Sequence, residues 1–303
     1  MNIICDRLLM IYPLPLERKT MAKILSGKEV SQTLSAKITA RAKDLIGRGI
    51  RPRLATVRLG ENPAALSYEK GLLKSLPSLN IDVETFFWPE TISEEELVEG
   101  ISDLGRRNDI HGILLLLPLP VHCDEDRVVT AIPPEKDIDG LRMDNLGKIL
   151  AYRDDGFNNC AIDAVMAIID HYGIDLSGKR VCLLGAGRLI NRPLSMLLLR
   201  RKATVTLTNT KTRQLEKLAA ESDILISAMG RAGSVDEKFI RPGQIVIDVG
   251  TAVVDGKLRG DLDIERTGDR LAAYTPTPGG VSSLTTRILA DHLVTACERA
   301  IER

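Results

Sequence analysis

Two aspartates, Asp137 and Asp139, follow an apolar run and a pair of prolines within residues 112–147. Residues 113–117 are uninterruptedly apolar, which predicts a strand covered on both faces in a parallel sheet. Pro118 and Pro120 lack the N–H that a ladder requires, so the strand opens into a loop there. Ligands in open α/β sheets sit beyond the carboxyl ends of strands, and spaced carboxylates at that place suit a ligand site, although a solvated turn can carry the same residues. A second chemical element is Gly185-Ala-Gly187-Arg-Leu-Ile-Asn191. It follows an apolar strand and leads into a helix, where glycines let backbone amides approach a pyrophosphate. The third glycine of the general fingerprint falls at Ile190, and a tight turn can use glycine for geometry alone. Residues 206–213 read Thr-Leu-Thr-Asn-Thr-Lys-Thr-Arg, without the carboxylate that holds a ribose 2′-hydroxyl. Lys211 and Arg213 suit a 2′-phosphate, which favours NADP over NAD, unless both are solvated loop charges.

The elements that must position these residues alternate. Strands are expected at 54–58, 83–87 and 112–117, with helices from about residue 26, near 64 and from 93. Ser26 and Glu29, and likewise Ser93 and Glu96, have capping-box spacing. After a loop around 151–159 come a helix near 160–172, a strand at 181–185, a helix over 193–200, strands at 204–208, 224–228 and 245–249, and an amphipathic helix over 284–301. Strand–helix alternation argues for βαβ units and parallel sheets, an α/β fold.

At 303 residues the chain suits two domains. Lys+Arg and Asp+Glu both number 41, so there is no electrostatic footprint for nucleic acid or an anionic membrane. Residues 3–16 are apolar but broken by Asp6, Arg7 and two prolines, too short to span a membrane and without the order of a signal peptide. Residues 1–20 fit nothing that follows and read as a disordered extension or an upstream start. Five scattered cysteines without a Cys-x-x-Cys pair point to a reducing cytoplasm and to no disulfide framework. No metal site is expected, the adjacent His122 and Cys123 being poorly spaced for chelation.

The motifs also resemble a family. Residues 112–120, Gly-Ile-Leu-Leu-Leu-Leu-Pro-Leu-Pro, then Pro-Pro-Glu-Lys-Asp-Ile-Asp-Gly and Asn145-Leu-Gly147, resemble the tetrahydrofolate dehydrogenase/cyclohydrolases, which have Gln where Leu116 stands. Gly60-Glu-Asn-Pro-Ala-Ala-Leu-Ser-Tyr68 resembles the family's Gly-x-x-Pro-Ala-Ser-x-x-Tyr, whose lysine four residues later is here Leu72. Asp248-Val-Gly250, Gly260-Asp-Leu-Asp263 and Thr275-Pro-Thr-Pro-Gly-Gly-Val281 resemble further family motifs, whereas Cys160-Ala-Ile departs from Pro-Cys-Thr-Pro. The resemblance runs from Met21 to near the C-terminus.

It implies a folate-binding catalytic domain over 21–155, a Rossmann-type doubly wound NAD(P)-binding domain over 156–283, and a helix at 284–303 packing back on the first. It further implies oxidation of 5,10-methylene-tetrahydrofolate to the methenyl form, followed by hydrolysis to 10-formyl-tetrahydrofolate. Tyr68 and Asp139 would be catalytic and hold the folate together with Pro278, Gly279 and Gly280. Gly185, Ala186, Gly187, Arg188, Asn209, Thr210, Lys211 and Thr251 would hold NADP, with NAD the alternative. A homodimer is implied as well. Loss of both lysine and glutamine predicts a retained dehydrogenase and a weak or lost cyclohydrolase, with a shifted cation such as Lys70 as the alternative. A non-catalytic pterin- or nucleotide-binding paralogue, or an NADP oxidoreductase on another small substrate, are the other readings.

Overall fold

The computed structural model describes residues 22–302, so the expected extension over 1–20 lies outside the described residues. In chain order, the first part runs β1 (Lys23–Ile24), α1 (Gly27–Gly47), β2 (Arg53–Leu59), α2 (Pro63–Ser75), β3 (Asp82–Trp88), α3 (Glu94–Arg106), β4 (Gly112–Leu115), α4 (Glu125–Thr130) and α5 (Met143–Leu150). The second runs α6 (Cys160–His171), β5 (Arg180–Leu184), α7 (Asn191–Arg200), β6 (Thr204–Leu207), α8 (Leu215–Ala220), β7 (Ile224–Ser227), β8 (Ile245–Asp248), β9 (Ala252–Val254), β10 (Lys257–Arg259), α9 (Ile264–Thr267), β11 (Ala273–Tyr274) and α10 (Thr285–Ile301).

Two parallel sheets carry the molecule. The first has the order β3-β2-β4, and the second β1-β11-β8-β7-β5-β6, so β1 from the start of the chain closes the edge of the second sheet. In the second sheet β5 lies between β6 and β7, the point where a doubly wound sheet opens a crevice at its carboxyl edge. The hairpin β9–β10 is antiparallel and stands apart from both sheets. β5, β7 and β8 are apolar because helices cover them, with every residue of β7 buried.

Alternation divides β2 between two cores: Leu54 belongs to the cluster under α1, α2, α6 and α10, while Ala55, Val57 and Leu59 face α3. The helix α10 packs on α1 and α6, and Arg41 of α1 reaches Asp291 (2.6 Å), Glu298 and Thr295 on α10.

Two local expectations need correction. The strand expected over 112–117 ends at Leu115, although the Leu116 amide still donates to the Val57 carbonyl (2.9 Å) before the cis Leu117–Pro118 bond. The Ser93–Glu96 capping box forms, but that of Ser26 does not. The Tyr172 hydroxyl takes the Ser26 amide (2.8 Å) and lies 3.1 Å from Glu29, so a tertiary partner replaces the local one. The short helices α4 and α5 carry no periodicity long enough to read from sequence.

Candidate active site

Asn62 accepts the Ala64 and Ala65 amides and caps α2, with Pro63 in its first turn. Tyr68 and Leu72, one turn apart, therefore share a face. Leu72 is wholly buried, and Leu116 lies in the same apolar cluster, against which Tyr68 packs. Lys70 and Lys74 are both exposed. The positions of the family's lysine and glutamine are thus both apolar and buried, and neither Lys70 nor Lys74 lies among them.

Asp139 sits on the loop between α4 and α5, against the start of α6. Its carboxylate accepts the Cys160 amide (3.2 Å) and the Asn159 side-chain amide (3.4 Å), at the positive end of a helix. Burial still pushes the carboxyl up, while Cys160 draws it down. The Tyr68 phenol, with Thr285 and Thr286 hydroxyls beside it, is pushed above its ordinary value by burial first and then by Cys160 and Asp139. Tyr68, Asp139, Cys160 and the start of α10 therefore converge. The Cys160 thiol is itself raised well above the usual range by burial and by Asp139, which keeps it a thiol. Asp137 does something else: wholly buried, it accepts the amides of Leu141 (3.0 Å) and Arg142 (2.9 Å) and the Asn145 side chain (2.7 Å), and so closes the loop.

The loop from β11 to α10 carries Pro278, Gly279 and Gly280. Gly279 has φ +103°, and a Cβ on Gly280 would lie 2.5 Å from the Pro276 carbonyl oxygen, so both positions require glycine. The Gly27 amide donates to Gly279 O (2.8 Å), anchoring the loop to α1. Nearby, Asp248 and Asp261 are structural. Gly250 and Gly260 leave room for them, since a Cβ there would lie 2.1 Å from Asp261 Cγ and 2.0 Å from Asp248 Oδ2 respectively.

The second set of expected residues lies at the carboxyl ends of β5, β6 and β8. Gly185 has φ +98°, with Ala228 O 3.1 Å from where a Cβ would stand, so the fold demands it. Gly187 has open space around it, so packing does not explain that glycine. Asn191 opens α7, donating to the carbonyls of Leu184 and Gly185 (both 2.8 Å), and its buried Oδ1 has no protein partner. Asn209, Thr210, Lys211 and Arg213 form an exposed turn after β6, and Thr251 is exposed just beyond β8. An open glycine turn, an orphaned acceptor and cations without a carboxylate fit a dinucleotide with a 2′-phosphate. Arg188 points elsewhere, pairing with Glu125 (2.7 Å) and Asp126 (2.5 Å) of α4.

Two buried polar groupings were not visible in the sequence. Glu69, beside Tyr68, accepts from Thr56 (3.0 Å) and from Arg58 (3.0 Å), while Arg58 also reaches the Gly60 carbonyl and covers Phe87 at 4.6 Å. Continuing the β2–β4 register, in which Thr56 faces Leu114, puts Arg58 opposite Leu116. The second grouping joins His292 to Asp163 (2.9 Å). A charged residue inside the apolar β2 was the one available signal for the first. Among the described residues no group of His, Cys, Asp or Glu could hold a metal ion, and no helix is long and apolar enough to cross a membrane.

Residues 25–139 match the tetrahydrofolate dehydrogenase/cyclohydrolase catalytic domain, and residues 159–301 its NAD(P)-binding domain. The chain is 41% identical over 281 residues to the bifunctional protein FolD of Carboxydothermus hydrogenoformans, covering 92% of this chain and 98% of that one. Among solved structures, the bifunctional FolD methylenetetrahydrofolate dehydrogenase/cyclohydrolase of Campylobacter jejuni is similar with a TM-score of 0.89 at 32% identity, covering 92% of this chain and 99% of that one. The Trypanosoma brucei enzyme, complexed with NADP cofactor and inhibitor, is similar with a TM-score of 0.88 at 29% identity, covering 93% and 99%. By both halves of its sequence and by its fold, this chain belongs to the tetrahydrofolate dehydrogenase/cyclohydrolase family.

Proposed function

We propose that this protein oxidises 5,10-methylene-tetrahydrofolate to 5,10-methenyl-tetrahydrofolate with NADP, and that hydrolysis of the methenyl bridge is weak or lost. One observation carries this reading: Asp139 lies beside Tyr68, while the positions of the family's lysine and glutamine, Leu72 and Leu116, are buried in the apolar cluster against which Tyr68 packs. NADP supplies the hydride acceptor. Asp139 holds the pterin, Tyr68 lies against it, and the loop Pro278–Gly280 borders both ligands. Gly187 and the turn after β6 receive the phosphates, with Lys211 and Arg213 on the 2′-phosphate.

Hydride transfer needs alignment of donor carbon and acceptor more than proton transfer. Hydrolysis needs an activated water and a proton relay, which a positioned side chain accelerates by about 10²–10⁴-fold. Leu72 and Leu116 offer neither. Arg58, opposite Leu116 in the strand register, is engaged by Glu69 and is too weak an acid to give up its proton. The resemblance supports a homodimer, and the four described cysteines, all free and buried, suit the reducing cytoplasm.

The test is to supply 5,10-methylene-tetrahydrofolate and NADP and to follow NADPH and the methenyl product together. They should form in equal amounts, while added methenyl-tetrahydrofolate should decay at close to its uncatalysed rate. No NADPH at high enzyme concentration would replace this reading with that of a non-catalytic binding protein. Rapid methenyl loss would overturn the hydrolysis half, and Lys70→Ala and Lys74→Ala would then show whether a surface lysine provides it.

A further inference from the structure

His292 lies on α10 with its ring buried, and both ring nitrogens are engaged. Nδ1 is 2.8 Å from the Ile138 carbonyl oxygen, and Nε2 is 2.9 Å from Asp163 Oδ2. A carbonyl and an ionised carboxylate only accept, so both nitrogens must donate, and the ring that does so is the imidazolium. Asp163 is held in turn by the Asn158 side-chain amide (2.7 Å), and Phe157 packs on the ring at 5.3 Å. The Ile138 carbonyl belongs to the peptide bond that leads into Asp139. The Cys160 thiol lies 3.9 Å from the same oxygen, while the Cys160 amide holds the Asp139 carboxylate. One peptide therefore separates a buried cation from the carboxylate assigned to the pterin.

We infer that His292, anchored by Asp163, is a positioning residue for Asp139: it fixes the Ile138–Asp139 peptide and sets a positive charge beside the carboxylate that holds the ligand. This rests on the reading that Asp139 holds the pterin. Field and geometry agree. Burial raises the Asp139 carboxyl, the Cys160 thiol and amide draw it down, Asp137 raises it further, and the His292 charge adds to the downward pull. For His292, burial acts downward, but Asp163, the Ile138 carbonyl and Asp291 outweigh it and hold the imidazole above its ordinary value. The groups facing the ring are Asp163 and Cys160 from α6, Asp139 from the loop, and Asp291 of its own helix. Arg299 stands beyond Phe157, and Lys148 of α5 and Arg200 of α7 line the adjoining groove.

His292→Asn keeps an amide donor towards Ile138 without the charge, and Asp163→Asn removes the partner that keeps the imidazole charged. Tetrahydrofolate binding is measured by calorimetry on the full chain from acid to alkaline pH, with NADP binding as the control. In both variants the pH below which tetrahydrofolate binding falls away should move upward by about one unit, about tenfold weaker binding on the acid side of the profile. The loss should disappear as the pH rises and the carboxyl is ionised in every protein, and NADP affinity should stay unchanged. A merely structural role would lower the melting temperature and weaken binding equally at every pH, and that result overturns the inference. In wild-type protein, nitrogen NMR of labelled histidine should show both His292 nitrogens protonated at neutral pH. A neutral ring overturns the inference even where the variants do not fold. Wild-type protein that binds tetrahydrofolate without reducing NADP sinks the dehydrogenase reading alone, whereas an active enzyme with unshifted variants sinks this inference alone.

Discussion

Restoring the family pair, Leu72→Lys with Leu116→Gln, asks whether the apolar pair is what suppresses hydrolysis. Leu72 is 0% exposed and Leu116 7%, in one cluster. Leu72→Lys alone forfeits about 1.5–3 kcal/mol of apolar burial. It also places an ammonium in an apolar cluster, where the one carboxylate on the same helix, Glu69, is already engaged by Arg58, at an effective penalty of several kcal/mol. The single variant should therefore lose on the order of 4–6 kcal/mol, a large part of the roughly 5–15 kcal/mol that holds a typical domain. Leu116→Gln supplies an acceptor, and a hydrogen bond to a charged group returns about 1.5–3 kcal/mol. Urea unfolding of the wild type, both singles and the double gives this coupling from the cycle. In the same proteins, methenyl-tetrahydrofolate decay over the uncatalysed rate should rise by about 10²-fold or more in the double only, while NADP reduction changes little. The reasoning fails if the two costs simply add, or if the folded double variant hydrolyses no faster than wild type.

Two further outcomes follow from the geometry. Glu69 and Arg58 form a pair whose side chains are only 9% and 13% exposed. Glu69→Leu should cost about 3–5 kcal/mol by stranding the guanidinium, and Arg58→Leu added to it should recover much of that; additive losses in the denaturation cycle would show the pair to be unlinked. Removing Lys211 and Arg213 together should raise KM for NADP by roughly ten- to a hundredfold, about 1.4–2.8 kcal/mol of charge-assisted contact, and leave KM for NAD within twofold. Equal effects on both cofactors would refute the 2′-phosphate assignment.

The elements that hold the site were legible because their causes are local. The apolar run before Pro118 reads as a covered strand, and β4 forms there. Residues 68 and 72 share a helix face by spacing alone, so the missing lysine could be recognised without coordinates. The family motif singles out Asp139 rather than Asp137, but only the fold gives the physical reason, since Asp137 is wholly buried tying down the loop's own amides while Asp139 lies beside Tyr68. The Ser26 cap failed for a related reason: a hydroxyl from residue 172 competes for the same amide. Arg188 looked like a phosphate ligand from its place in the glycine turn, but α4 brings two carboxylates to it.

By itself, the sequence determined the parallel α/β architecture, the two ligand loops and the chemical character of each position in the pocket, because periodicity and residue type act over a few neighbours. Tertiary structure alone decided which of those groups are charged, paired or exposed. Glu69 meets Arg58 across 11 residues, and His292 meets Asp163 across 129. The free energy of a buried ionisable group depends on the partners and desolvation around it, and those are fixed only when distant segments pack.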